Sequence, residues 1–350
     1  MENKLASVIK PLGILAAAAI VFWAIKAIAF IVGPLVLATL FVAILRPGYL
    51  FMLKRKFPIA LATLITIIFF ILILVFLGWV FTLAITQTVA IFQEYGAEIT
   101  ARFQKLNGTI GQLPSYASGL GGLLKPFDPS LVSSFLSRFI GVMADFLRNL
   151  VIVFFLFVFT LTGVPLILKR MHETFGETHP LTLKTISFLE NQARYFILRT
   201  LVNAVTGVGI ALGCLFLGIP NAFVWGLLTF VLSYIPYIGM FIACVPPGLI
   251  AFAQGGLSEV AIFAAICLVV NGLAEQVISP IVTGRGLSIS PALIFISFIF
   301  WGWFLGSVGY IVAVPMTLLV LLFMTSFEET AGFAHLVSDI PEVNIGSNNP

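Results

Sequence analysis

The sequence is short of charged residues. Only 9% of its 350 residues are Asp, Glu, Lys or Arg, whereas a soluble domain usually carries about 25%. Hydrophobic residues make up 60%, and the mean hydropathy is +1.14. A water-soluble fold of this size could not cover its surface with so few polar residues. The composition therefore excludes a soluble domain. It predicts an all-α, polytopic integral membrane protein whose first partner is the lipid bilayer.

Residues that commonly carry enzyme chemistry are also scarce. The histidines are His172, His179 and His335, and all three lie outside the apolar segments. There is no His-Glu-x-x-His helix, no Gly-x-Ser-x-Gly elbow and no Gly-rich phosphate loop followed by Lys. We therefore expect neither an enzyme nor an ATP-driven pump, and neither a cofactor nor a metal. Cys214, Cys244 and Cys267 lie in apolar runs without metal-type spacing, which predicts small core residues rather than disulfides or ligands.

The apolar runs divide the chain into four regions. A helix needs about 20 apolar residues to cross the hydrocarbon core, and the runs predict about eight transmembrane helices plus short broken or re-entrant segments. The regions are N-terminal membrane helices in 1–86, an extracytoplasmic amphipathic helical region in 87–143, a membrane transport core in 144–325 with a cytoplasmic amphipathic helix at 179–195, and a cytoplasmic tail in 326–350.

Proline and glycine mark the expected helix boundaries. Asp128-Pro129 and His179-Pro180 are expected to start helices, because proline is favoured at the first helical position. Gly33-Pro34 and Pro246-Pro247 are expected to interrupt helices, and Ser279-Pro280 is expected to end one.

The basic residues indicate the orientation. With a cytoplasmic N-terminus, twelve Lys and Arg residues fall on the cytoplasmic side and five on the other, all five within one long region. Cytoplasmic loops of membrane proteins are rich in these residues. Both termini are then cytoplasmic. The net charge of +4 is spread over segment ends, so it gives no reason to expect a nucleic-acid partner.

Glu275 is the leading candidate for transport chemistry, because ionisable groups inside a membrane are costly. It lies one helical turn after Asn271 and next to Gln276, and an ionised carboxylate there needs a cation, a positive partner or a proton. The alternative is a helix-end residue at the cytoplasmic interface. Arg199 and Asn203, also one turn apart, could pair with Glu190 or Glu275, or could anchor a helix at the interface.

Helix-breaking residues form a second set of candidates, since broken helices expose backbone groups that bind ions or solutes at membrane depth. The predicted broken-helix and gating positions are Pro220, Pro236, Gly239, Pro246, Pro280, Gly284, Pro291, Gly302, Gly306, Gly309 and Pro315. Pro220, Gly239 and Pro246 are spaced by 19 and 7 residues, and Pro291, Gly309 and Pro315 by 18 and 6. On the topology above, the two sets start on opposite sides, which favours an inverted repeat.

The same residues resemble a known family, the autoinducer-2 exporter family of bacterial and archaeal membrane proteins. The resemblance covers nearly the whole chain, and its motifs are concentrated in residues 215–316. The motifs are Leu217-Gly218-Ile219-Pro220, Tyr234-Ile235-Pro236-Tyr237-Ile238-Gly239, Glu275 with Pro280 and Gly284, Leu287-Ser288-Ile289-Ser290-Pro291, Trp301-Gly302, Leu305-Gly306, Gly309 and Ala313-Val314-Pro315. One departure is Gln276-Val277, where the family has Gly-Asn after the glutamate.

The resemblance implies an inner-membrane permease with both termini in the cytoplasm, and a homo-oligomer, a pentamer whose protomers each carry a pathway. Its members look like exporters of small molecules such as the quorum-sensing signal, or like cation–proton antiporters. The leading hypothesis is therefore a secondary transporter exporting a small solute, coupled to H+ or Na+. The alternatives are a Na+(Li+)/H+ antiporter, a passive channel, and a membrane scaffold that transports nothing.

Overall fold

The structure is a computed structural model, and its described residues are helices joined by short turns, with no β-strand among them. The residues described are 20, 23, 24, 26–111, 129–176, 179–235, 238–283, 290–324 and 332. Within these ranges the helices are α1 (Ala29–Lys54), α2 (Ile59–Gly111), α3 (Pro129–Phe175), α4 (Pro180–Phe216), α5 (Ala222–Leu232), α6 (Gly239–Gly255), α7 (Leu257–Gly272), a π-helical turn (Leu273–Ile278), α8 (Ser279–Thr283), α9 (Pro291–Leu305) and α10 (Ser307–Met324).

In the part of the chain that the structure describes, six helices are long and apolar enough to cross a membrane. They are Ala29–Lys54, Ile59–Ile91, Ser137–Phe175, Thr182–Phe216, Leu257–Ile281 and Ser307–Met324, and three shorter apolar helices accompany them. The predicted all-α, polytopic architecture is confirmed. The 11 residues of α5 extend only about 16 Å, against a hydrocarbon core of about 30 Å. This helix is therefore too short to cross the membrane alone.

The chain forms two compact units. Unit 1 comprises residues 1–46, 149–189 and 289–350, and unit 2 comprises residues 47–148 and 190–288. Ala43, Leu168 and Leu189 form a buried core cluster within unit 1. In unit 2 the C-terminal part of α2 packs on the C-terminal end of α6, where Ile99 contacts Phe252 and Ala253. Arg102 donates hydrogen bonds to the carbonyl oxygens of Ala253 (2.9 Å) and Gln254 (3.0 Å), which lie at the negative end of α6.

The two longest helices run through the expected edges of the amphipathic region. The 53 residues of α2 continue without interruption past residue 87, and the 47 residues of α3 continue past residue 143. The amphipathic segments are thus continuous with the apolar spans rather than separated from them by turns. The predicted helix starts at Pro129 and Pro180 are confirmed.

Several expected helix interruptions were wrong. α1 runs through Gly33-Pro34, α6 runs through Pro246-Pro247, and α10 runs through Pro315. A proline inside a helix costs about 3 kcal/mol. In lipid, leaving the helix would expose several unpaired backbone groups, each costing several kcal/mol. A proline that removes one hydrogen bond is therefore cheaper than a broken helix.

The two short helix pairs share one local feature. The regions 220–254 and 291–325 each contain a helix, a break and a second helix, with the breaks between α5 and α6 and at Gly306. A β-carbon at Gly239 would meet the carbonyl oxygen of Leu232, and one at Gly309 would meet the carbonyl oxygen of Trp301. In both pairs a glycine near the start of the second helix lies against the backbone near the end of the first. This common contact supports the correspondence between the two segments.

Candidate functional site

Arg199 and Glu275 form an ion pair within unit 2. Arg199 Nη1 is 2.8 Å from Glu275 Oε1 and donates a hydrogen bond to Oε2 at 3.0 Å. The two side chains are only 11% and 22% exposed. The sequence left Glu190 and Glu275 as possible partners of Arg199, and in the structure the partner is Glu275. Both carboxylate oxygens face the same guanidinium, so the negative charge of Glu275 is compensated by a fixed positive group.

Arg199 also binds the end of a broken helix. Its Nη2 donates a hydrogen bond to the carbonyl oxygen of Ser233 at 2.9 Å, and Ser233 caps the C-terminus of α5. The last carbonyls of a helix lack intrahelical partners and carry a partial negative charge. A cation suits this position. Through one side chain, α4 therefore links the end of α5 to the segment that carries Glu275.

Glu275 lies in a π-helical turn that the sequence analysis did not anticipate. The turn covers Leu273–Ile278 and is followed directly by α8, which contains Pro280. A proline at this position cannot donate to the carbonyl of Gln276, and its ring would clash with that carbonyl in an α-helix. A wider turn before the ring relieves the clash. The prediction that Ser279-Pro280 ends the helix was wrong, and Pro280 is the sequence signal that could have indicated the π-turn.

The predicted neighbours of Glu275 lie before and within the π-turn. Asn271 lies in α7 before the turn and is half-buried, while Gln276 is exposed. Among the described residues, no hydrogen bond joins either side chain to Glu275. The expectation that Asn271 shares a face with Glu275 stays a prediction.

Asn203 is the most unusual polar residue in unit 2. It is fully buried, and neither Oδ1 nor Nδ2 has a hydrogen-bond partner among the described residues. The hydroxyl of Ser233 and Nε of Arg199 are also buried without partners in this part of the chain. An unmade hydrogen bond at a buried group costs about 1–3 kcal/mol. Such a group is what a polar ligand would satisfy.

The packing of α4 on α5 positions Asn203. Arg199, Asn203 and Gly207 follow at one-turn intervals on one face of α4. Arg199 contacts Ser233, and a β-carbon at Gly207 would lie 2.7 Å from the carbonyl oxygen of Gly226. Asn203 lies between these two contacts and therefore faces α5. The crossing is close because neither Gly207 nor Gly226 has a side chain.

An aromatic side chain next to the ion pair was missed as a site residue. The hydroxyl groups of Tyr234 and Thr200 are hydrogen-bonded at 2.6 Å. The Tyr234 ring stacks on Phe196, with centroids 6.1 Å apart, and meets Phe230 edge-on. These contacts hold the first residues of the break between α5 and α6 against α4. Tyr234 is part of the Tyr-Ile-Pro-Tyr-Ile-Gly motif, which was the available signal.

The other predicted positions are spread over both units. Pro220 lies in the turn before α5, and Pro291 is the first residue of α9. Pro246 and Pro315 lie inside helices, as does Gly302, whose Cα faces the ring of Tyr310. The expectation of helix breaks at these three residues and at Pro280 was wrong. Pro236 and Gly284 lie outside the described residues.

Lys26, a basic residue in the first apolar segment, belongs to unit 1. Its Nζ lies 3.1 Å from the centroid of the Trp303 ring and 5.6 Å from that of Trp23. Indole rings stabilise a nearby ammonium group through their negative faces. This contact stabilises the charge of a lysine that lies in an apolar segment.

Comparison with known proteins decides the family. The family model described as AI-2E family transporter matches residues 12–329. The chain belongs to the AI-2E transporter family. It is 28% identical to the AI-2 transport protein TqsA of Escherichia coli K12 over 328 residues, covering 92% of this chain and 93% of TqsA. A putative transport protein of Haemophilus influenzae is 27% identical over 355 residues, covering 98% and 99%. The putative transport protein YhhT of Escherichia coli K12 is 26% identical over 322 residues, covering 92% and 91%. The chain is thus a multi-pass membrane protein of a transporter family.

Proposed function

We propose that this chain is a secondary transporter of the inner membrane that exports a small polar solute, such as an autoinducer-2-like signal. Membership of a transporter family and the similarity to a protein named for AI-2 transport support this function. The observation that carries it is the Arg199–Glu275 ion pair at the end of the broken helix α5, one turn from the unpartnered amide of Asn203.

The charges of the site favour an uncharged solute. Arg199 and Glu275 compensate each other, so the pair has no net charge to offer an ion. A net charge added to an apolar interior is costly. The amide of Asn203 supplies two hydrogen-bond donors and one acceptor, and the hydroxyl of Ser233 supplies one donor and two acceptors. A solute bearing hydroxyl or carbonyl groups would satisfy both side chains.

Coupling to H+ would act through Glu275. A proton taken up by the carboxylate removes its negative charge and weakens its contact with Arg199, while the hydrogen bond from Arg199 to the Ser233 carbonyl is unaffected. A solute oxygen can then compete with the neutral carboxyl group for Nη1, and the end of α5 is held less firmly to the π-turn. Release of the proton on the other side restores the pair. Opening and closing of the connection between α5 and the π-turn are thus linked to proton transfer without a second ionisable site.

The alternative of Na+(Li+)/H+ antiport requires the cation to displace Arg199. Both carboxylate oxygens of Glu275 already face the guanidinium, so a bound Na+ would lie beside a positive charge. We therefore place antiport second. A passive channel would use the same broken helices, but it could not accumulate solute against a gradient.

The assembly proposed for the chain is a homo-oligomer, a pentamer with both termini in the cytoplasm and one pathway per protomer. Its basis is the family resemblance. Native mass spectrometry of the purified protein would measure the subunit number directly, and a monomer in lipid-containing detergent would contradict the assembly.

The function is tested by flux in proteoliposomes that contain the purified chain. With an imposed pH gradient, labelled autoinducer-2 should accumulate above its external concentration, and collapse of the gradient with a protonophore should release it. Proton efflux on addition of Na+ or Li+, without solute, would instead establish antiport. Equilibration of autoinducer-2 without accumulation would establish a channel. If neither autoinducer-2 nor protons move in these assays, the proposed transport is wrong.

A further inference from the structure

The hairpin of α6 and α7 is symmetric about its turn. The helices meet at Gly255-Gly256, where Gly256 has φ +74°. A β-carbon at Gly248 would lie 3.7 Å from the Phe263 ring. Cys244 lies opposite Cys267, one helical turn further from Gly255-Gly256. Each member of these pairs is the same number of residues from the turn. This is the register of two antiparallel helices in direct contact.

The second of these pairs brings two thiols together. Sγ of Cys267 is 3.4 Å from Sγ of Cys244, and the residues are 5% and 8% exposed. The apolar runs around these cysteines predicted small core residues rather than disulfides or ligands, and both residues are buried. Their pairing across two helices could not be inferred from their spacing in the chain. Neither thiol has a part in the proposed transport cycle.

We propose that Cys244 and Cys267 are a redox modification site that forms an intramolecular disulfide with a membrane-soluble two-electron oxidant of the quinone class. Each thiol gives up its proton, and the pair gives up two electrons. One S–S bond forms, and the quinone takes up both protons and both electrons to become a quinol. The product disulfide is reduced again by a dithiol, which is itself oxidised to a disulfide.

The geometry requires only a small movement. A disulfide has an S–S distance of about 2.05 Å, so the two sulfurs must approach by about 1.4 Å in total. Only 17% of an 18-residue window in the apolar span that contains α7 is buried within the chain. An apolar oxidant dissolved in lipid would approach the thiols from the exposed side of this helix.

The bond would join two elements that carry different parts of the candidate site. α6 begins directly after the break that follows Ser233, and α7 leads into the π-turn that carries Glu275. Oxidation would fix the distance between them at one level of the hairpin. The inference concerns the thiols themselves and stands whether or not the chain transports the proposed solute.

The test counts thiols in the full-length protein in proteoliposomes. A Cys214→Ala variant retains only the proposed pair. After treatment with molecular iodine, which is apolar, denaturation and alkylation with N-ethylmaleimide should label no thiol, against two before treatment. The intact mass should be lower by two hydrogens, and dithiothreitol should restore both labels. The wild-type protein should change from three labels to one.

Two further variants determine which thiols react. Cys244→Ala and Cys267→Ala, each retaining Cys214, should keep both remaining labels after the same treatment. Persistence of two labels in the Cys214→Ala variant would overturn the proposal. So would loss of both labels in Cys244→Ala, because Cys214 would then be the true partner of Cys267. A disulfide-linked dimer on a non-reducing gel would assign the bond to two copies of the chain and would also overturn it.

Discussion

The guanidinium of Arg199 contacts both carboxylate oxygens of Glu275, at 2.8 and 3.0 Å. Neither side chain is more than 22% exposed, so the two charges depend on each other. Removing one partner of a buried pair leaves an uncompensated charge, which costs more than removing both partners. The stability of single and double variants therefore reports the electrostatic role of the pair separately from its role in transport.

The first prediction is a double-mutant cycle on this pair. Glu275→Gln and Arg199→Gln should each lower stability, by up to about 3 kcal/mol, and the double variant should recover most of that loss. Gradient-driven accumulation of solute should be lost in all three variants, because none has an ionisable Glu275 beside a cation. Thermal unfolding in detergent and proteoliposome flux measure the two effects separately.

The exposed pair Arg148–Asp145 is the matched control for this cycle. Its side chains are 78% and 57% exposed at a distance of 3.1 Å, so Asp145→Asn should change neither stability nor flux. If Glu275→Gln accumulates solute like the wild type over the accessible pH range, Glu275 is a structural residue. Coupling would then have to be sought elsewhere in the chain.

The second prediction concerns the amide of Asn203. Asn203→Leu keeps the branched shape of the side chain and removes two unpartnered buried groups, which offsets the cost of its larger volume. Thermal stability should therefore stay close to that of the wild type, while solute transport should fall at least tenfold. Thr206→Val is the control, since the Thr206 hydroxyl is already satisfied by the carbonyl of Val202 at 3.0 Å. A less stable Asn203→Leu variant with full transport would show that the amide serves the fold.

The third prediction concerns the crossing of α4 and α5. A β-carbon at Gly226 would lie 2.6 Å from both the β-carbon of Ala211 and the carbonyl oxygen of Gly207. Gly226→Ala should therefore push the helices apart, lower the unfolding temperature and reduce transport. Gly163→Ala in α3 has nothing within 4 Å and should be neutral or stabilise by up to about 1 kcal/mol. Equal unfolding temperatures for the two variants would refute a close crossing.

The fourth prediction concerns orientation in the membrane. In a cysteine-free background, Ser118→Cys should react with an impermeant maleimide added outside intact cells, and Thr178→Cys should react only after the cells are opened. The distribution of Lys and Arg motivates this expectation. Labelling of Thr178→Cys from outside would reverse the topology, including the cytoplasmic placement of the termini.

Features encoded in local composition were predictable from the sequence. The apolar segments, the helix starts at Pro129 and Pro180, and the break between α5 and α6 all follow from hydropathy and from the geometry of proline and glycine. The choice of Glu275 also followed from local reasoning, since a carboxylate in an apolar run needs a partner. Arg199 was one of several candidate partners until the structure placed it.

Features that depend on contacts between helices were not predictable in the same way. Whether Pro280 ends a helix or widens it depends on the surrounding packing, and the sequence alone favoured an end. The pairing of Cys244 with Cys267 depends on the register of two antiparallel helices, which no single-helix periodicity reveals. The unpartnered state of Asn203 likewise depends on what α5 presents to it.

The backbone contacts of Gly239 and Gly309 restrict which codons these positions can accept. Every missense change of a glycine codon adds at least a β-carbon, and at both positions that atom would meet a carbonyl oxygen of the preceding helix. A side chain can rotate away from such a collision, but a helix backbone cannot. We therefore expect a saturation-mutagenesis library selected for function to be depleted of all substitutions at these two positions, while neighbouring lipid-facing positions tolerate many apolar residues.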